Sequence, residues 1–252
     1  MKIVFPELNS NTIAREAANH FSDIDWVYAR RLDEATNYVH IGLADTMISG
    51  LDYSSRDVLI AYKDHLELKS PFFSSCFICK REDGTHLTLA DGGVNKQPSE
   101  EQLYTIVEDT ARTHEIYFDE QHKIAMLSYS TYGSGGKNPD LDKISAVIEK
   151  IRRNHPDWLI DGEMQLDAAT RPEVATKKTP TSPLRGQANI LIVPDLNSGN
   201  ILYKALERFG GFTVAGPIIQ GFTMPLADLS RGSTVKDVIL TINVIKKLLE
   251  RN

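Results

Sequence analysis

From Ile124 onward, short apolar runs alternate with helical patterns, and that rhythm restricts the fold more than any single motif. NILIV, residues 189–193, is almost unbroken in its apolar character. A strand buried on both faces reads this way, whereas a strand with one wet face alternates. IAMLSYS (residues 124–130) and residues 212–219 read as further strands. Between them Asn138-Pro139 opens a helix whose inward face is Leu141, Ile144, Ile148 and Ile151. DWLIDGEMQLDAA leads to a helix running to about Lys178. After NILIV, PDLNSGN turns into a helix with Ile201, Leu202, Ala205, Leu206 and Phe209 inward, stopped by Gly210-Gly211. Successive parallel strands need such crossovers, so the expectation is an α/β protein with mostly parallel sheets and helices on their faces.

The first half is less regular. Residues 2–7 read as a short buried strand, 12–20 as an amphipathic helix and 24–28 as a weak strand. Residues 30–36 are polar, and 37–50 read as a strand leading into a glycine-bearing loop. A helix over 54–66 and strands over 72–79 and 86–89 follow, the strands joined by a turn at Asp83-Gly84. Ser99 and Gln102 have capping-box spacing for a helix reaching about His114, with Leu103, Ile106, Val107 and Ala111 inward. With 252 residues the chain has room for one large domain or two modest ones. We expect two: residues 1–95 completed by a C-terminal helix over 233–252, and residues 96–232.

Twenty-eight Lys and Arg against 34 Asp and Glu give a net charge of −6. That balance argues against a nucleic-acid or anionic-membrane partner. No apolar run reaches bilayer length, and MKIVFPE begins like a strand, so a cytoplasmic protein is expected. Cys76 and Cys79 form CxxC inside a strand-like segment, where an odd separation sends the side chains to opposite faces. They read as core cysteines. The seven histidines lack metal-ligand spacing, so no metal is expected.

Three loops that follow expected strands carry polar chemistry. DLSRGSTVKDVI (residues 228–239) puts Ser230, Arg231, Gly232 and Asp237 at the start of the last helix, whose apolar face is Val235, Val238, Ile239, Ile242, Ile245 and Leu249. Asp237 lies off that face, free to point to solvent or into a cleft. A hydroxyl, a guanidinium and a carboxylate there suit acyl or phosphoryl chemistry. Thr234 and Asp237 also have capping-box spacing, and on this segment alone a cap is the favoured reading. SYSTYGSGG offers Ser128, Ser130, Thr131, Gly133, Ser134 and Gly135, small residues that let backbone N–H groups approach an oxyanion. PDLNSGN offers Asn197, Ser198 and Asn200, which taken singly cap a helix. In open α/β sheets ligands collect beyond the carboxyl ends of strands, so the coincidence of three such loops points to a site.

KIVFPE, ADTMISG, PSEEQL, MLSYSTYGSG, DGEMQLDAAT, GQANILIVPDLNSGNILYK, GPIIQG and DLSRGSTVKDV together resemble the phosphate acetyl/butyryl transferases, the acetyl-type phosphotransacetylases most closely. From Ala44 on they come in the family's order, over about four fifths of the chain. The resemblance implies two α/β/α domains similar to isocitrate and isopropylmalate dehydrogenases, a cleft between them, and a homodimer. It implies reversible acetyl transfer between coenzyme A and phosphate, without metal or bound cofactor. By motif position Asp237 takes the thiol proton, Ser230 positions the thiol or tetrahedral intermediate, and Arg231 holds the acyl phosphate. The SYSTYGSG loop lines the phosphate side. Relative to the family, roughly seventy residues are absent between KIVFPE and ADTMISG. One family arginine falls in that gap and a second falls on Ile60. Arg56, one turn earlier on the same helix, takes its place as a substrate-binding candidate. A second reading is a non-catalytic acetyl-CoA-sensing relative. A third is an acyltransferase for another acyl group.

Overall fold

In the computed structural model, which describes residues 1–251, the first strand β1 (Lys2–Val4) is flanked by two parallel partners. These are β2 (Asp25–Val27), reached through helix α1 (Thr12–Ala18), and β3 (Thr46–Ser49), reached through α2 (Leu32–His40). Helix α2 corrects the strand expected from residue 37. Ala35, Thr36 and Val39 are buried on one face of a helix. Glu34 secures it, its carboxylate accepting the Arg30 N–H at 2.6 Å and the Tyr38 hydroxyl at 2.8 Å. Tertiary burial of that face outweighs the strand preference of Tyr38-Val39. Helix α3 (Ser55–His65) follows, with the Ser54 hydroxyl accepting the N–H of Asp57. Strand β4 (Ser74–Lys80) then carries the chain out of this unit, with Cys76 and Cys79 both buried in it. Burial pushes the Cys79 thiol far up, which keeps it protonated.

The second unit, Ile78–Phe212, is the regular one. It contains β5 (His86–Ala90), α4 (Glu100–Phe118), β6 (Lys123–Leu127), α5 (Pro139–Asn154), β7 (Leu159–Met164), short α6 (Leu166–Thr170) and α7 (Pro172–Lys178), β8 (Ile190–Ile192) and α8 (Leu196–Phe209). Its strands lie in the order β5-β8-β6-β7, all parallel. The NILIV strand β8 is central and buried throughout, as its composition requires. The Ser99–Gln102 capping box forms, and Leu103, Ile106, Val107 and Ala111 face the core. Leu141, Ile144, Ile148 and Ile151 do the same on α5.

Helix α8 departs from expectation. Its buried residues are Gly199 and Tyr203, while Ile201 is 68% and Phe209 92% exposed. Gly199 sets this orientation, because a Cβ there would stand 2.8 Å from the Gly92 Cα. A helix docks most closely through its smallest residue, which leaves Leu202, Ala205 and Leu206 half-buried and turns Ile201 and Phe209 outward.

The chain returns to the first unit with β9 (Thr213–Gln220), β10 (Leu226–Asp228) and α9 (Val235–Arg251). Strand β10 pairs antiparallel with β9 and parallel with β3. Those ladders place the whole stretch from Thr213 with residues 1–77, so the boundaries fall after residues 77 and 212 rather than 95 and 232. The final helix belongs to the first unit. Helix α9 buries Val238, Thr241, Ile242, Val244, Ile245 and Leu248 against β9 and α1. At about 1.5–3 kcal/mol for each large apolar side chain, that face fixes α9 firmly. Among the described residues no helix is long and apolar enough to cross a membrane.

Candidate functional site

Strand β10 ends at Asp228, and the loop to α9 carries Ser230 and Arg231. Leu229 donates its N–H to the Ser49 carbonyl at 2.5 Å, continuing the β3 pairing into the loop. Ser233 donates to the Ser230 carbonyl at 2.9 Å and closes a tight turn. The half-buried Ser230 Oγ accepts the Gly232 N–H at 3.2 Å, which leaves its own hydrogen uncommitted. Arg231 is exposed and has no hydrogen-bond or ion-pair partner among the described residues. A rigidly held hydroxyl beside an uncommitted guanidinium is an arrangement that can meet a phosphoryl group or developing oxyanion.

Asp237 makes the cap that its spacing from Thr234 favours, but it does not point outward. It is 4% exposed, on the buried side of α9. Its Oδ1 accepts the Val214 N–H at 3.0 Å, and its Oδ2 accepts the Thr234 N–H at 2.8 Å and the Thr234 hydroxyl at 2.6 Å. In return the Asp237 N–H reaches Thr234 Oγ1 at 3.3 Å, which completes the capping box. The carboxylate therefore ties the start of α9 to β9 instead of standing free off the apolar face. Thr241 repeats the tie one turn on, its hydroxyl accepting the Gly216 N–H at 3.0 Å. Sequence periodicity treats polar residues as outward-facing and could not foresee that β9 has backbone donors for this helix to satisfy.

Arg56 is exposed on α3, whose buried side is Val58 and Tyr62. That helix meets β10 through Tyr62, which donates to the Ala227 carbonyl at 2.7 Å. Beneath the Ser230 loop lie two groups that sequence reading passed over, Glu7 and Asp228, 1% and 2% exposed. Burial, with the nearby Glu7 charge, raises the Asp228 carboxyl to about 7. Burial also raises Glu7, partly offset by hydrogen bonds from Gly50, Ser49 and Asp52. Both residues stand inside quoted motifs, KIVFPE and DLSRGS, which was the available signal.

In the second unit the loops after β6 and β8 leave the same edge of a parallel sheet. The first is organised by a carboxylate, Glu163, 6% exposed. Its Oε1 accepts the Ser130 hydroxyl at 2.8 Å and the Gly133 N–H at 2.6 Å. The Gly135 N–H goes to Ser130 Oγ at 2.8 Å, the Ser130 N–H to Ser128 Oγ at 3.2 Å and the Thr131 N–H to Ser134 Oγ at 2.9 Å. Thr131 Oγ1 accepts the Gln165 N–H at 3.0 Å. The open set of backbone donors expected here is thus already used internally, because DGEMQ supplies the anion. Tyr132 adds a hydrogen bond to Asp161, which pairs with Arg152 at 2.8 Å, and burial pushes the phenol up to about 12.

At the start of α8 the cap is Asp195, accepting the Ser198 N–H at 2.9 Å. Asn200 donates its Nδ2 to the Gly92 carbonyl at 3.3 Å, and Asn197 is exposed. Among the described residues no group of three or more His, Cys, Asp or Glu could hold a metal ion.

The pattern of the phosphate acetyl/butaryl transferases matches residues 11–245. The phosphate acetyltransferase of Bacillus subtilis is 38% identical over 212 residues, 82% of this chain and 65% of the relative's own length. That of Corynebacterium glutamicum is 36% identical over 242 residues, 91% of this chain and 73% of the relative. Among solved structures, a phosphotransacetylase from Streptococcus pyogenes superposes with a TM-score of 0.87 at 31% identity, covering 100% of this chain and 94% of that one. A 4-hydroxythreonine-4-phosphate dehydrogenase from Klebsiella pneumoniae, at 10% identity and a TM-score of 0.52, shares the fold alone.

Proposed function

Because the chain belongs to the phosphate acetyl/butaryl transferase family, we propose that it transfers an acetyl or other short acyl group reversibly between coenzyme A and phosphate. The observation that carries this is the Ser230–Arg231 pair, held by backbone hydrogen bonds with both functional groups uncommitted. A thiol of pKa ~8.5 is mostly protonated at neutral pH, so attack on the acyl phosphate needs a proton acceptor. In this reading Asp237 is that acceptor, and the Thr234 hydroxyl must first turn away from Oδ2. The Ser230 hydroxyl donates to the tetrahedral oxyanion, and Arg231 balances the charge of the departing phosphate. One such preorganised donor is worth about 3–4 kcal/mol of barrier.

Ser128, Ser130, Thr131, Gly133, Ser134 and Gly135, with Asn197, Ser198, Asn200 and Arg56, are the proposed substrate contacts. Coenzyme A enters as substrate, and no bound cofactor or metal takes part. The protein works in the cytoplasm, without nucleic-acid or membrane partners, and its net charge of −6 supports this. The assembly is a homodimer, which the exposed Ile201 and Phe209 on α8 support. Mixing the protein with acetyl phosphate and coenzyme A and following thioester absorbance tests the reaction. Enzyme-dependent thioester is expected, and its absence at high enzyme concentration overturns the proposal.

A further inference from the structure

The carboxyl groups of Glu7 and Asp228 are both buried against Gly50, and they are used differently. Glu7 is engaged, its Oε1 accepting the Gly50 N–H at 2.7 Å and both its oxygens lying 3.1 Å from the Ser49 hydroxyl. The Ser55 side chain near Asp228 favours its anion, while Asp228 Oδ1 is buried with no partner. Gly50 has φ +114°, and a Cβ there would stand 2.6 Å from Asp228 Oδ1. The glycine makes the room that this carboxyl fills.

The groups facing Asp228 are Glu7 from the turn after β1 and, from α3, Ser55 and the Tyr62 phenol. None is a cation. A buried carboxyl in such company is tolerated as the neutral acid and costly as the anion. Directly after it comes Leu229, whose N–H bond to the Ser49 carbonyl anchors the loop. A side chain leaving this pocket pulls on that anchor first.

We propose that Asp228 is a positioning residue for the Ser230–Arg231 loop, holding it in place as an uncharged acid and releasing it on ionisation. When the proton passes to water, two like charges face each other near Gly50. Asp228 then moves toward solvent, and the Leu229–Ser49 bond gives way. That the loop serves acyl transfer rests on the proposed function; the loop's response to pH does not.

Limited trypsin digestion tests this without turnover. Arg231 and Arg185 are both exposed, in the first and second units respectively. The ratio of cleavage after Arg231 to cleavage after Arg185 cancels the protease's own pH dependence. With a carboxyl at about 7, the ionised fraction rises about tenfold between pH 6 and pH 8. The wild-type ratio is expected to rise by a similar factor, and in Asp228→Asn to stay at the low value throughout. Ser55→Ala removes the hydroxyl that favours the anion, so its midpoint moves to higher pH. A wild-type ratio flat with pH overturns the proposal, as does an equal rise in Asp228→Asn. If Asp228→Asn fails to fold, an unmoved midpoint in Ser55→Ala overturns it. Loss of the thioester reaction with the digestion pattern intact would remove the transferase reading and leave this one standing.

Discussion

Replacing Asp237 by alanine should destabilise the first unit before it says anything about proton transfer. The substitution strands the Val214 N–H, on a residue only 5% exposed, and removes the one oxygen that accepts both Thr234 donors. An unsatisfied buried donor costs about 1–3 kcal/mol, and loss of a helix cap about 1 kcal/mol. The Thr234 groups can recover water, so the expected loss is about 2–4 kcal/mol. Asp237→Asn keeps one acceptor for Val214 but turns an amide toward Thr234, and should lose about half as much. The chain has two tryptophans, Trp26 in the first unit and Trp158 in the second. In a Trp158→Phe background, fluorescence during urea unfolding therefore reports the unit that holds Asp237. A loss below about 0.5 kcal/mol in Asp237→Ala, or equal losses in the two variants, would refute the capping account.

Three further outcomes follow from buried contacts. Gly50→Ala forces a side chain into φ +114° and toward the Asp228 carboxyl, and should cost about 3 kcal/mol or more in the same assay. Glu163→Ala removes the acceptor shared by Ser130 and Gly133, so Gly133 amide exchange should accelerate about tenfold or more. The Asp228 carboxyl keeps its proton in the folded protein up to about pH 7, whereas the unfolded chain loses it near 3.8. Stability should therefore fall as pH rises through that window and then level off, by at most about 4 kcal/mol. Asp228→Asn should flatten this slope and be the more stable protein at pH 7.5; an unchanged slope in unfolding melts would contradict it.

Where a segment's fate is set locally, the sequence was a sufficient guide. The Ser99–Gln102 box, the Asn138-Pro139 start and the unbroken NILIV run each became the element expected. What stayed hidden was set by partners distant in the chain. Residues 37–40 prefer a strand by composition, but burial of Ala35, Thr36 and Val39 makes them helical. On α8 the apolar stripe was legible while its direction was not, because Gly199 docks against Asp91-Gly92. The membership of residues 213–232 was not legible, since the ladders of β10 with β3 and β9 decide it. At the site, the Thr234–Asp237 cap was legible from its spacing, but the bond from the Val214 N–H to Asp237 and the internal engagement of the Ser130 loop were not, because their partners lie far along the chain.

Arg231 therefore offers the cleanest measurement of the chemical claim, since it is exposed, has no partner among the described residues, and its removal should cost the fold less than about 0.5 kcal/mol. Rates of thioester formation from acetyl phosphate and coenzyme A should be compared for wild type and Arg231→Ala at equal folded concentration. The account predicts a fall of about 10²–10³-fold in kcat with the urea midpoint unchanged. Equal rates in the two proteins would contradict it.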